Sequence, residues 1–251
     1  MSVAIPTHAK TLLSEASFIA VMTGAGISAE SGIPTFRDAQ SGLWAKFDPT
    51  DLATPEAFER NPAFVTQWYD QRRLDVLQCQ PNAGHEALAR LEKQINERGG
   101  SFALLTQNVD ALHQRAGSQN VIELHGSLFV WHNANGGEAR ELGPEPFDTY
   151  PPRSETGQLL RPGVTWFGEM LPAKAVETAS DAAARCDLLL SVGTSAEVHP
   201  AAAFIETARA QGAAIIEVNP DATPVTPIAD AAIHAPAGEA LPALVDAVVA
   251  T

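Results

Sequence analysis

Positive charge is scarce in this chain. Its 251 residues carry 16 lysines and arginines against 30 aspartates and glutamates, a formal net charge of -14. Phosphate polymers are bound through clustered Lys and Arg, so nucleic acid and anionic membrane are disfavoured as partners. A cationic peptide suits this balance, although acidity that only keeps the chain soluble explains it equally well. Cysteine is scarcer still: with Cys79 and Cys186 alone, a disulfide framework is not in play. No apolar run approaches the ~18 residues of a membrane span. Met1 to Lys10 lacks the charged-then-apolar layout of a secretion signal. These absences lead to the expectation of a cytoplasmic protein. At 45% hydrophobic and 18% charged, the chain can bury a substantial core, as one large domain or as one domain with a small appendage.

Through most of the sequence, helix and strand signals alternate. Thr7 to Ala16 predicts a short helix, and Phe18 to Met22 a buried strand. Prolines after Thr54 and Asn61 sit at helix-start positions and predict two short helices outside the main sheet. Asn82 caps a helix whose Ala87, Leu88, Leu91 and Ile95 fall at helical spacing, ended by Gly99-Gly100. Ser101 to Leu105 and Val121 to Leu124 are compact strands. Between about Leu128 and Arg161 periodicity is lost, predicting a smaller module or a long loop. The rhythm then returns, with helices at Ala173 to Arg185 and Pro200 to Gln211, and strands at Leu188 to Val192 and Ala213 to Val218. A strand near Ala231 to His234 and a helix from Glu239 close the chain. There are no internal repeats. This alternation predicts an α/β fold, a mostly parallel sheet with helices on both faces.

Three places carry chemistry. The stretch Thr23 to Asp38, reading TGAGISAESGIPTFRD, opens with Gly24-Ala25-Gly26 directly after a strand. Glycines there let a phosphate approach backbone N–H groups, or simply let two segments pack closely. Gln107, Asn108 and Asp110 follow the strand ending at Leu105, at the sheet edge where open α/β folds bind ligands. Side chains of these types hydrogen-bond a ribose and a carboxamide, and they also cap helices. Of seven histidines, His125 alone follows a strand with glycine behind it. An imidazole is suited to proton removal near neutrality.

The Thr23 to Asp38 string, together with Thr106 to Asp110 (TQNVD) and the downstream His125-Gly126, resembles the sirtuin family over nearly the whole chain apart from the insert. The resemblance implies a Rossmann-like sheet with a smaller inserted module, and NAD as cofactor. It places Gly24, Ala25, Gly26, Ser28, Glu30, Phe36 and Arg37 in the NAD loop, and Gln107, Asn108 and Asp110 near the nicotinamide and its ribose. Gly193, Thr194 and Ser195 match a third NAD stretch, Asn219 an adenosine-ribose contact, and Ala237 a backbone contact to adenine. His125 becomes the general base. In the implied reaction the acyl oxygen of a modified lysine attacks the ribose and expels nicotinamide, and water then releases free lysine and acyl-ADP-ribose.

Tyr69 and Arg72 lie one helical turn apart within WYDQRR. They form either a plain packing face or, by resemblance to class III sirtuins, a site for the carboxylate of succinyl or malonyl lysine. Thr165, Trp166, Phe167 and Gly168, in RPGVTWFGE, match the peptide-binding segment, with Gly163 and Thr165 standing where family members commonly have histidine and valine. An extended run there can pair with a peptide backbone or serve as a linker strand. Sirtuins usually hold zinc on cysteines in the insert. This insert has none; Asn133, Gly136, Ser154 and Thr156 stand near the thiolate positions, so no bound metal is expected.

The expected layout is an NAD-binding domain from 1–37, 82–127 and 167–251, with a small domain from 38–81 and 128–166. The expected partners are acylated lysine peptides or proteins, not nucleic acid or membrane. The sequence is compatible with a monomer without fixing oligomeric state. Three activities stay open: a deacylase, with acidic or acetyl preference; ADP-ribosyl transfer or NAD hydrolysis at the same site; and an NAD-sensing module.

Overall fold

The computed structural model describes residues 3–35, 49–137 and 139–249. Six strands form one parallel sheet: β1 (Phe18–Thr23), β2 (Ser101–Thr106), β3 (Val121–Glu123), β7 (Leu188–Val192), β8 (Ala214–Val218) and β9 (Ala231–Ile233). Their spatial order is β3-β2-β1-β7-β8-β9. The central strands read as continuous apolar runs because both faces are covered. Burial of β1, β2 and β7 is almost complete, and only the outer end of β1 and β2 reaches solvent.

On one face pack α1 (Thr7–Glu15), α5 (Ala83–Glu97) and α9 (Ala237–Val249), whose apolar side chains join Ile19, Val21, Leu104 and Leu190 in one cluster. On the other, α7 (Ala173–Arg185) and α8 (Ala202–Ala210) cover Met22, Leu105, Leu189 and Ile215. The start of α5 follows the expected chemistry: the Asn82 carboxamide accepts from Gly84 N, and His85 reaches back to the Asn82 amide.

One expectation is corrected and one alternative is settled. After the short helices α2 (Pro49–Leu52) and α3 (Pro55–Arg60), the helix begun at Pro62 is long: α4 runs Pro62–Gln78. Its buried face carries Val65, Thr66, Tyr69, Asp70, Arg73 and Val76, so polar residues hide the apolar stripe by which helices are usually read. Of the two readings of the aperiodic segment after Leu128, a smaller module or a long loop, the structure has the module. Strands β4 (Gly126–Asn133), β5 (Ala139–Glu141) and β6 (Leu160–Val164) form an antiparallel sheet in the order β5-β4-β6. A register shift between Ser127 and Trp131 breaks the period-two alternation of β4. A third apolar cluster, containing Phe58, Val65, Tyr69, Leu128, Trp131 and Trp166, joins this sheet to α3 and α4. Among the described residues, no helix is long and apolar enough to cross a membrane.

Candidate active site

Strand order reverses between β1 and β7, and their carboxyl ends open the crevice in which such sheets take ligands. Gly24 N donates to Val192 O at 3.1 Å and Gly26 N to Gly193 O at 2.8 Å, locking the loops after β1 and β7 together. A Cβ on Gly24 or Gly26 would stand 2.8 or 2.7 Å from Gly193 O, and one on Gly193, whose φ is +57°, would stand 2.4 Å from Ile27 N. Packing alone therefore demands glycine at all three positions. The chain leaves Gly24 as a 3-10 helix, Ala25–Ser31.

That helix delivers Ser28 to a buried polar cluster. Ser28 Oγ donates to Asp110 Oδ2 at 2.7 Å and accepts from Asn108 Nδ2 at 3.1 Å; the same amide also donates to Gly24 O at 3.1 Å. Asp110 Oδ1 accepts from Leu112 N at 2.9 Å, at the start of α6 (Leu112–Arg115), so the capping and site readings of this carboxylate coexist. Burial raises the Asp110 pKa, opposed by the Leu112 amide, the Ser28 hydroxyl and the charges of Arg72 and Arg115. Ala25, Ser28, Ile33, Arg72, Asn108 and Asp110 line one small cavity.

His125, following β3, places Nδ1 3.0 Å from Gln107 O. A carbonyl only accepts, so Nδ1 carries the proton and Nε2 keeps its lone pair. Burial lowers the His125 pKa, partly offset by that carbonyl, so the ring is neutral near neutrality. Gln107 Nε2 donates to Thr194 Oγ1 at 2.9 Å, and Asn219 Nδ2 to Thr194 O at 2.9 Å, which brings the ends of β2, β7 and β8 together. Ser195 lies in the same turn after β7. Glu30 is directed to the start of α9, where its carboxylate accepts from Gly238 N at 2.6 Å, beside Ala237. Phe36 and Arg37 lie outside the described residues.

On α4, Tyr69 is buried and its hydroxyl accepts from Trp166 Nε1 at 3.0 Å. Burial pushes its pKa up to about 12 against the pull of Arg72. The Arg72 guanidinium lies over the Trp68 ring, 5.4 Å from its centroid. Burial lowers its pKa, offset by Tyr69, Asp110 and Asp75. Thr165 N donates to His125 O and Phe167 N to Ala53 O, both at 2.9 Å, while the Phe167 side chain is 52% exposed and Gly168 turns with φ +86°.

Other residues were not marked by the sequence reasoning. His85 Nδ1 accepts from the Asn82 amide at 3.3 Å, leaving its proton on Nε2, 3.4 Å from Ser28 Oγ. Its ring lies 4.8 Å from that of His113, whose Nε2 is 3.0 Å from Thr23 Oγ1. Burial lowers the His85 pKa to about 4 and that of His113 well below its ordinary value, so both are neutral. Nothing in the spacing of two histidines 28 positions apart announces such a pair. Also unmarked was the ion pair of Asp70 and Arg73, both 0% exposed. Arg73 donates to Asp70 Oδ1 from Nε and Nη2, and to the carbonyls of Gly143 and Glu145. Asp70 Oδ2 accepts from Phe147 N at 3.0 Å and Tyr150 Oη at 2.6 Å. Burial and that bond to Asp70 push the Tyr150 pKa up to about 12. The insert is thereby tied to α4. Among the described residues, no group of three or more His, Cys, Asp and Glu is arranged to hold a metal ion.

A parallel doubly wound sheet, a glycine-locked loop at its switch point and a buried Ser-Asn-Asp cluster beside a neutral histidine define a nucleotide-binding α/β protein with an inserted module. The Sir2 family pattern matches residues 24–200, and the chain belongs to that family. It is 51% identical over 234 residues to a protein of Thermus thermophilus named NAD-dependent protein deacylase, covering 93% of this chain and 91% of that one. A solved Sir2 homologue in complex with NAD superposes with a TM-score of 0.91 at 43% identity, over 99% of this chain and 96% of the other. A mutant Sir2 homologue bound to ADP-ribose does so with a TM-score of 0.93 at 44% identity, over 98% and 97%.

Proposed function

We propose that this protein is an NAD-dependent protein-lysine deacylase whose preferred acyl groups end in a carboxylate, such as succinyl and malonyl. The observation that carries the reading is one small cavity lined by Ser28, Asn108, Asp110 and Arg72 together. A cation beside the polar cluster suits an acyl-lysine whose far end is anionic. The curated relatives bear the deacylase name, and the NAD-bound Sir2 homologue supports the choice of cofactor.

The residues present fit that cofactor. Gly24, Gly26 and Gly193 close the loops after β1 and β7 onto each other at the carboxyl ends of the strands, beside the buried Ser28, Asn108 and Asp110 cluster, the edge at which such sheets take a dinucleotide. In this reading Gly24, Ala25, Gly26, Ser28, Glu30, Phe36, Arg37, Gln107, Asn108, Asp110, Gly193, Thr194, Ser195, Asn219 and Ala237 hold NAD. When bound, NAD supplies a ribose carbon that accepts the acyl oxygen as nicotinamide departs. Asn108 and Asp110 orient the sugar from their places in the buried network. His125 takes a proton from a ribose hydroxyl at Nε2, with Nδ1–H anchored on the Gln107 carbonyl. Arg72 and Tyr69 hold the acyl carboxylate. Thr165, Trp166, Phe167 and Gly168 form the peptide-binding segment, offering backbone carbonyls because the amides of Thr165, Trp166 and Phe167 donate within the protein, and residues 38–81 and 128–166 form a small domain beside the NAD-binding remainder.

The test is to incubate the protein with NAD and succinylated, malonylated and acetylated peptides, following nicotinamide and free lysine by mass spectrometry. A hydrogen bond to a charged group contributes roughly 1.5–3 kcal/mol, so succinyl peptides should exceed acetyl peptides in kcat/KM by about one to two decades. Arg72→Met should raise KM for succinyl peptides far more than for acetyl ones. An equal effect on both rejects the acidic preference, and nicotinamide release without free lysine would indicate ADP-ribosyl transfer or NAD hydrolysis.

A further inference from the structure

The Tyr69 hydroxyl is buried in the third apolar cluster and receives the indole proton of Trp166 at 3.0 Å. An indole nitrogen is a donor only, whereas a phenol has one proton to give and lone pairs with which to accept. Trp166 therefore fixes the polarity of that phenol: oxygen toward the indole, proton directed elsewhere. Among the described residues, no hydrogen-bond acceptor takes that proton. Arg72, one turn further along α4, also offers donors only.

Trp166 is itself held from two sides. Its backbone N–H donates to Glu169 Oε2 at 2.8 Å. Glu169 is gripped by both terminal nitrogens of Arg161, at 2.7 and 2.8 Å. The Arg161 guanidinium in turn lies on the Trp166 ring, 3.5 Å from its centroid. Burial tends to raise the Glu169 pKa, but the Arg161 bond and the Trp166 amide outweigh it and keep the carboxylate charged.

We propose that Trp166 is a positioning residue for acyl choice: by donating to the Tyr69 oxygen it turns the phenolic proton away from itself and keeps it available to the substrate, so the Tyr69–Arg72 pair favours an acyl end made of acceptors. This rests on the acidic-acyl reading and adds to it a residue that acts through Tyr69. A carboxylate accepts the phenolic proton, while a methyl group strands it.

The experiment compares the ratio of kcat/KM for succinyl and acetyl peptides in the parent, Trp166→Phe, Tyr69→Phe and the double variant. Trp166→Phe frees the phenol to rotate and should lower the ratio about tenfold, the weaker end of what a hydrogen bond to a charged group contributes. The double variant should match Tyr69→Phe, because without the phenol the indole has nothing to orient. Replacing the indole N–H by sulfur, with 3-benzothienylalanine at position 166, should reproduce the tenfold drop at constant shape and covers the case in which Trp166→Phe folds poorly. A merely structural tryptophan would lower both rates together and leave the ratio alone. A ratio within twofold of the parent in the sulfur variant overturns the proposal, as do additive effects in the double variant. A parent ratio near one overturns the acidic-acyl reading itself, and the proposal with it.

Discussion

Arg73→Met tests how the cysteine-free insert is held. Arg73 and Asp70 are both fully buried, and their network makes two bonds from the guanidinium to insert carbonyls and two from the insert to Asp70. Removing the cation strands a buried carboxylate, which costs roughly 3–5 kcal/mol. At about 2–4 °C per kcal/mol for a chain of this size, the melting temperature should fall by roughly 6–20 °C. Trp131 and Trp166 both lie in the cluster at the insert, so urea unfolding followed by tryptophan fluorescence reports on the affected unit. Asp70→Asn should destabilise the parent yet stabilise Arg73→Met, since Asn still accepts from Phe147 and Tyr150 without a charge. A deficit under about 1 kcal/mol for Arg73→Met, or a further loss on adding Asp70→Asn, would refute the claim that this pair docks the insert.

His125→Ala should leave NAD affinity largely intact by calorimetry and abolish deacylation; near-normal turnover would remove the histidine from the reaction. Because burial lowers the His125 pKa and the base must be neutral, activity should persist below pH 6.5 and fall only as the ring protonates at lower pH. An acid limb in the kcat/KM profile centred above 6.5 would contradict that. Gly193→Ala forces φ +57° on a residue with a Cβ only 2.4 Å from Ile27 N, so it should cost roughly 1–3 kcal/mol in backbone strain and weaken NAD binding, measured by denaturation and calorimetry.

The α/β architecture and most of the polar cluster were legible in the chain. Central parallel strands are buried on both faces and therefore appear as apolar runs, and Asn108, Asp110 and His125 sit directly after such runs because ligand groups ride on strand ends. The inserted unit was legible as a place in the chain but not in its internal structure. On α4, Asp70 and Arg73 occupy the buried face, so a rule that sends charge outward misjudges the helix. In β4 the register shift spoils alternation, and β5 is wholly exposed, so neither shows period two. The direction of the Tyr69 hydroxyl depends on an indole 97 positions away, and the His85–Ser28–Asp110 chain spans three separate segments.

Local information alone determined where strands end and which polar groups stand there, because burial patterns and caps act over a few residues. Which loops touch across the switch point, which charges pair in the interior and which way each proton points were decided only when distant segments met. Hydrogen-bond direction and close packing are properties of atoms in contact, and their sequence separation carries no trace of them.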